Sequence, residues 1–267
     1  VLIDLINTEY ALYISGTGFV VPDQVMARLK IAPIPRRASG NPFQDIKVGL
    51  KFIKTNSIFS FLIGMTFFNS FFGMAYITLM PVFAKDILEA GARGQGLLLG
   101  TSGAGALIYT LYIGARGNVP NRGLTIIGGA VIFGLAVAAF ALTSRYVGSF
   151  SLAMAIMFIM GIFNSMYMIS IQSSLQIMVP DHIRGRVMGF YGMTWSIMPL
   201  GGMQASGLAS LFTAPIAIAI GGLAVVLFAL GPATLNPKVR DLSSNLTPLR
   251  DEAAQAEAPR TKAGRDD

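Results

Sequence analysis

The feature that most constrains this chain is a series of long stretches without charge, nearly all bounded on both sides by Lys or Arg. Lys54 and Lys85 enclose "TNSIFSFLIGMTFFNSFFGMAYITLMPVFA", thirty residues with no charged side chain. "GQGLLLGTSGAGALIYTLYIGA" lies between Arg93 and Arg116, and "GLTIIGGAVIFGLAVAAFALTS" between Arg122 and Arg145. A further uncharged run covers 146–180, and the last covers the 51 residues from 187 to 237. About 20 apolar residues suffice for a helix to cross the hydrocarbon. Inside lipid a helix is also one of the few ways to satisfy every backbone polar group. The last run is too long for one helix, and Pro215 divides it, because the residue before a proline is pushed out of helical geometry. Six spans follow, at 55–80, 94–115, 123–144, 149–177, 187–211 and 215–235. The expected fold class is an all-α polytopic membrane protein.

Composition agrees: 12% of residues are charged, against about 25% in a soluble domain. The chain has no Cys and one His. Disulfides, thiolate nucleophiles and Cys-ligated zinc are thereby excluded, and no ordinary His-based metal site or Ser-His triad can be built. No enzyme chemistry, cofactor or metal is expected. The formal net charge of +7 could suggest nucleic acid, but its distribution points to lipid. Counted over the loops, 17 of the 20 Lys and Arg fall on one side of the spans, leaving Lys85, Arg93 and Arg145 on the other. By the positive-inside rule the basic side is cytoplasmic. The expected setting is therefore the inner cell membrane, multi-pass, with membrane lipid as partner and no nucleic acid.

The basic side includes residues 23–54, read as a cytoplasmic linker, and the tail 236–267, read as disordered because it is polar and rich in Ala, Asp, Glu and Arg. Residues 1–22, "VLIDLINTEYALYISGTGFVVP", are long enough to span. Asp4 and Glu9 would each cost about 3 kcal/mol at mid-helix, so an interfacial segment competes with a span. A spanning 1–22 would put the first residue outside. The expectation is then the rear part of a longer protein, with 55–235 as its C-terminal six-helix bundle.

A basic linker followed by six spans suits the rear half of a twelve-helix secondary transporter, and particular residues narrow this. "LQIMVPDHIRGRVMGFYGMTWSIMPLGG" carries Leu175, Gln176, Val179, Pro180, Arg184, Gly185, Arg186, Val187, Met188, Pro199, Leu200 and Gly201. The stretch resembles the region between the tenth and eleventh helices of the major facilitator superfamily. It is most similar to the branch holding the enterobactin exporter and the transmembrane secretion effectors. Leu79, Pro81, Phe83, Ala84 and Asp86 resemble the outer end of that family's seventh helix, and "VLID" the end of its front half. One motif departs: the family's acidic G-x-x-x-D-R-x-G-R-R type loop is here "GARGNVPNRG", Gly114 to Gly123, without a carboxylate. The resemblance implies a C-terminal bundle plus the last helix of the N-terminal half. It also implies alternating access, proton-driven export of a small amphipathic molecule, and the N-terminal half as partner. The alternatives from other classes are a non-transporting scaffold or sensor, and a half-size transporter acting as a homodimer.

Candidate site residues come from polar side chains in apolar surroundings. Asn164, Met168, Gln172 and Gln176 recur at steps of four, so they share one face of a helix. They read either as a cavity wall or as interhelical hydrogen-bond partners. Asn69, Tyr76, Tyr109, Trp195 and Gln204 are further substrate-path candidates. In "VPDHIRGRVMGF", Asp181 is placed to cap the next helix, Arg184 and Arg186 to latch or anchor the cytoplasmic end, and His182 as a solvated loop residue. Proton coupling has only Asp4 and Glu9 as membrane carboxylates. Gly96 and Gly100, with Gly103 and Gly105, predict a small packing face, and Pro199 predicts a kink.

Overall fold

The computed structural model describes residues 42–117, 121–179 and 181–235, together with the single positions 13, 17 and 24. Asp4, Glu9 and the tail 236–267 therefore lie outside the described residues, as does the linker up to residue 41 apart from position 24. All regular structure among the described residues is helical.

Helix α1 (Pro42–Thr55) lies within the expected linker. It ends at a one-residue corner. Asn56 adopts extended backbone geometry and its side chain accepts the Ile58 N–H at 3.1 Å, which is how a helix start satisfies a free donor. The Ser60 hydroxyl reaches back across the corner to the Ile53 carbonyl at 2.7 Å. α2 (Ser57–Ile87) runs on for 31 residues, beyond the expected end at 80. It contains two π-helical turns, Asn69–Gly73 and Phe83–Ile87. The second follows Pro81, which lacks the N–H that a regular turn would use there.

α3 (Gly91–Arg116), α4 (Arg122–Tyr146), α5 (Phe150–Met178) and α8 (Ala214–Leu235) correspond to expected spans. At 1.5 Å per residue the four long helices α2 to α5 measure roughly 37–46 Å, enough to cross about 30 Å of hydrocarbon. Among the described residues, five helices are long and apolar enough to cross a membrane. The expected span 187–211 is not a single helix. α6 (Asp181–Trp195) and α7 (Met198–Leu211) are separated by a break at Ser196 and Ile197. Pro199 does not kink a continuous helix. It occupies the first turn of α7, where its fixed φ and missing donor cost least.

α3 and α4, neighbours in sequence, both pack on α5, while α8 packs on α4 and α7, and α7 on α2. The crossings are made by glycine. A Cβ on Gly161 of α5 would strike the Ser102 carbonyl of α3, and one on Gly105 would strike the Phe158 carbonyl of α5. Gly134 of α4 and Gly222 of α8 similarly face each other's carbonyls, and Gly201 of α7 meets Phe71 of α2. Small residues allow this approach, which in lipid supplies the packing that no hydrophobic force between helices provides. Of the α3 glycines, Gly105 makes such a contact, whereas Gly96, Gly100 and Gly103 are exposed and, among the described residues, nothing stands within 4 Å of a Cβ on Gly100 or Gly103.

Candidate functional site: a polar cluster beside the helix break

The π turn in α2 positions the first member of the cluster. Asn69 opens that turn, its carbonyl accepting the Met74 N–H at 2.8 Å. Its side chain is fully buried, with Nδ2 directed at the Met168 sulfur of α5, 3.7 Å away, and Oδ1 without a hydrogen-bond partner. π turns of this kind recur at functional sites because they re-aim a side chain inside a helix. Two turns further along α2, buried Tyr76 pairs with Ser102 of α3. Tyr109 of α3 pairs with Ser170 of α5.

α5 carries the next polar residues. Asn164 stands at its middle, about 21 Å from either end at 1.5 Å per residue. The residue is half-buried and its Oδ1 is unpartnered. Met168 is buried, whereas Gln172 and Gln176 are exposed, so the stripe runs from the interior out to one end of the helix. Tyr167, which the polar stripe passes by, is the largest fully buried side chain of the bundle, and its hydroxyl has no partner. Its ring lies 5.7 Å from that of Phe133, and Tyr76 and Tyr191 are within electrostatic reach. The sequence signal for Tyr167 was its place three residues after Asn164 on the same helix, but aromatic residues are too common in such a chain to stand out.

Tyr191 carries the cluster to α6, where it pairs with Trp195 beside the break. Trp195 is partly exposed and Gln204 half-buried on α7. Tyr76, Tyr191 and, through Tyr191, Trp195 are thus linked to Tyr167, Asn69 touches Met168 and Tyr109 reaches Ser170, whereas no contact described joins Asn164 to them. Gln172 and Gln204 are not joined to them by any contact described. Chemically the cluster offers uncharged donors and acceptors, some unpartnered. A buried polar atom without a partner costs about 1–3 kcal/mol, so these atoms are the ones that water or a ligand would stabilise most.

The turn between α5 and α6 is a joint. Arg184 donates to the Val179 carbonyl at 3.3 Å, closing the end of α5, while Arg122 at the start of α4 donates to Ser173 at 3.0 Å. Asp181 is the first residue of α6. His182 follows it inside the helix, not in a loop. Arg186 is half-buried along the same helix.

A family model described as transmembrane secretion effector, of major-facilitator type, matches residues 5–262. No curated protein and no solved structure matches the chain.

Proposed function

This chain belongs to the transmembrane secretion effector family of major-facilitator transporters, and from that premise we propose that it exports a small amphipathic molecule by alternating access. As a multi-pass membrane transporter it has spans, a polar interior and a broken helix to work with. The observation that carries the reading is the unpartnered oxygens of Asn69 on α2 and Asn164 on α5, inside a largely apolar bundle. Amide and phenol groups recognise polar but uncharged parts of a cargo, and the methionines and aromatics around them accept its apolar part. That chemistry matches siderophore, drug or lysolipid cargo better than a small ion.

The α6–α7 break beside Trp195 is the proposed gate, because two shorter helices pivot where one long helix cannot. In this reading Arg184, bonded to the Val179 carbonyl, anchors the end of α6 next to α5. Leu107 and Leu111 of α3 and Leu200 and Met203 of α7 are uncovered, and in the proposed transporter they meet a second six-helix bundle that completes the path. Proton coupling is assigned to Asp4 and Glu9 or to that second bundle. In the proposed orientation, α1 and the tail face the cytoplasm at the inner membrane, because most Lys and Arg lie on that side.

Cells carrying the full gene, and cells lacking it, should be loaded with a catecholate siderophore, ethidium or a lysophospholipid, and retention followed. The gene should lower retention of at least one, and collapsing the proton gradient should abolish the difference. Equal retention of all three would remove the export reading.

A further inference from the structure

Helix α1 has three faces, separated by the 100° step of a helix. Gly49, Phe52 and Ile53 form the first. A Cβ on Gly49 would meet the Phe190 ring of α6 at 2.9 Å and the Cβ of Arg186 at 3.4 Å. Phe52 lies 4.9 Å from the Phe59 ring of α2, and Ile53 is buried. Ile46 and Leu50, one turn apart, form the second face; both are apolar and exposed. Lys47, Lys51 and Lys54 form the third, an exposed arc roughly 60° wide by helical geometry. With its first face already packed on the bundle, α1 presents two bare apolar side chains directly beside three cations. Water suits only the cations, and a free anion suits only the lysines. A phospholipid suits both, with the phosphate on the lysines and acyl chains on Ile46 and Leu50. Helices of this pattern lie in the interface plane, and each basic residue near an anionic surface adds about 1 kcal/mol of attraction.

We infer that α1 is an interfacial helix that holds anionic phospholipid headgroups with Lys47, Lys51 and Lys54. Its occupancy is transmitted, because the Asn56 corner and the Ser60–Ile53 bond tie α1 to α2, and the Gly49 contact ties it to α6, the first half of the broken helix. The lipid thereby steadies the end of the helix that leads to the gate.

The full chain can be reconstituted in nanodiscs of phosphatidylcholine, alone or mixed with phosphatidylglycerol, and amide hydrogen exchange followed over 46–55. Phosphatidylglycerol should slow that exchange several-fold. The effect should vanish in the K47Q/K51Q/K54Q variant and persist in K47R/K51R/K54R, all at exposed positions that leave the packing intact. Ile46→Ser with Leu50→Ser should weaken it. Exchange equally slow in both lipids would mean that protein covers the face, either the chain's own tail or a second copy. Exchange equally fast in both would mean that nothing covers it. An effect that survives the three glutamines, or ignores the two serines, would mean a different or purely ionic site. Each of these four results overturns the inference.

Discussion

Two kinds of buried polar side chain can be told apart in this bundle. Ser174, Ser170 and Thr66 return their hydroxyls to carbonyls one turn back, at 2.7, 2.7 and 3.0 Å, and need nothing else. Tyr167 has no partner for its hydroxyl. Tyr167→Phe should therefore leave the fold as stable or raise its stability by about 1–2 kcal/mol, because a buried unsatisfied group is removed. The same change should lower export several-fold if that hydroxyl meets cargo. Thermal unfolding in detergent and efflux by cells check the two halves separately. A loss of stability together with a normal rate would show that the hydroxyl has a structural partner. The glycines divide in the same way. Gly161→Val drives side-chain atoms into the backbone at Ser102, which cannot yield, so a loss of about 3 kcal/mol or more is expected. At Gly100 a Cβ meets open space, and Gly100→Ala should be neutral or stabilising by about 0.5–1 kcal/mol. The unfolding midpoint of Gly161→Val should fall well below the parent's, and that of Gly100→Ala should lie at or above it.

At the scale of the element, the helix break is the feature with a mechanism attached. A continuous helix would bond the N–H of residue 199 to the Trp195 carbonyl, and proline has no N–H to give. Upstream, the Ser196 N–H turns to the Met193 carbonyl at 3.1 Å, so the chain has already left α geometry. Pro199→Ala restores the missing donor and should let α6 and α7 join. Hydrogen exchange over residues 195–200 should slow, and export should fall because the pivot stiffens. Unchanged exchange would place the cause of the break elsewhere. Pro199 is visible in the sequence, and so was the expectation of a bend near it. The break itself was not, because Trp195, Ser196 and Ile197 carry no breaker signal. The π turn at Asn69 was hidden for the same reason: "NSFFG" reads as ordinary helix, and tertiary packing decides the extra residue.

For the molecule as a whole, charge was the most legible signal. Lys54, Arg116, Arg122 and Arg145 stand within a residue or so of helix ends, since ionic side chains mark where a chain must leave lipid. α1 was the exception, an amphipathic helix inside a stretch read as linker, because its few apolar residues were outweighed by its lysines. The polar cluster was legible as a set of candidates and not as an arrangement. Asn69 and Met168 are 99 positions apart, and nothing local says that they meet. The faces of α3 and α7 left uncovered are where the rest of the transporter is proposed to act, so Gly100→Leu should fold normally and still block export. Normal export by that variant would remove the proposed contact.

The central claim is that the α2–α5 cluster lines a water-accessible path at mid-depth. The chain has no cysteine, so a single thiol can be read without background. Asn164→Cys should be labelled by a membrane-impermeant maleimide, because a thiol reacts as its thiolate and needs water to form it. Leu227→Cys, on an uncovered apolar face of α8, should stay unlabelled in lipid, and cargo should slow labelling at 164. Labelling at 164 no faster than at 227, with or without cargo, would contradict the account.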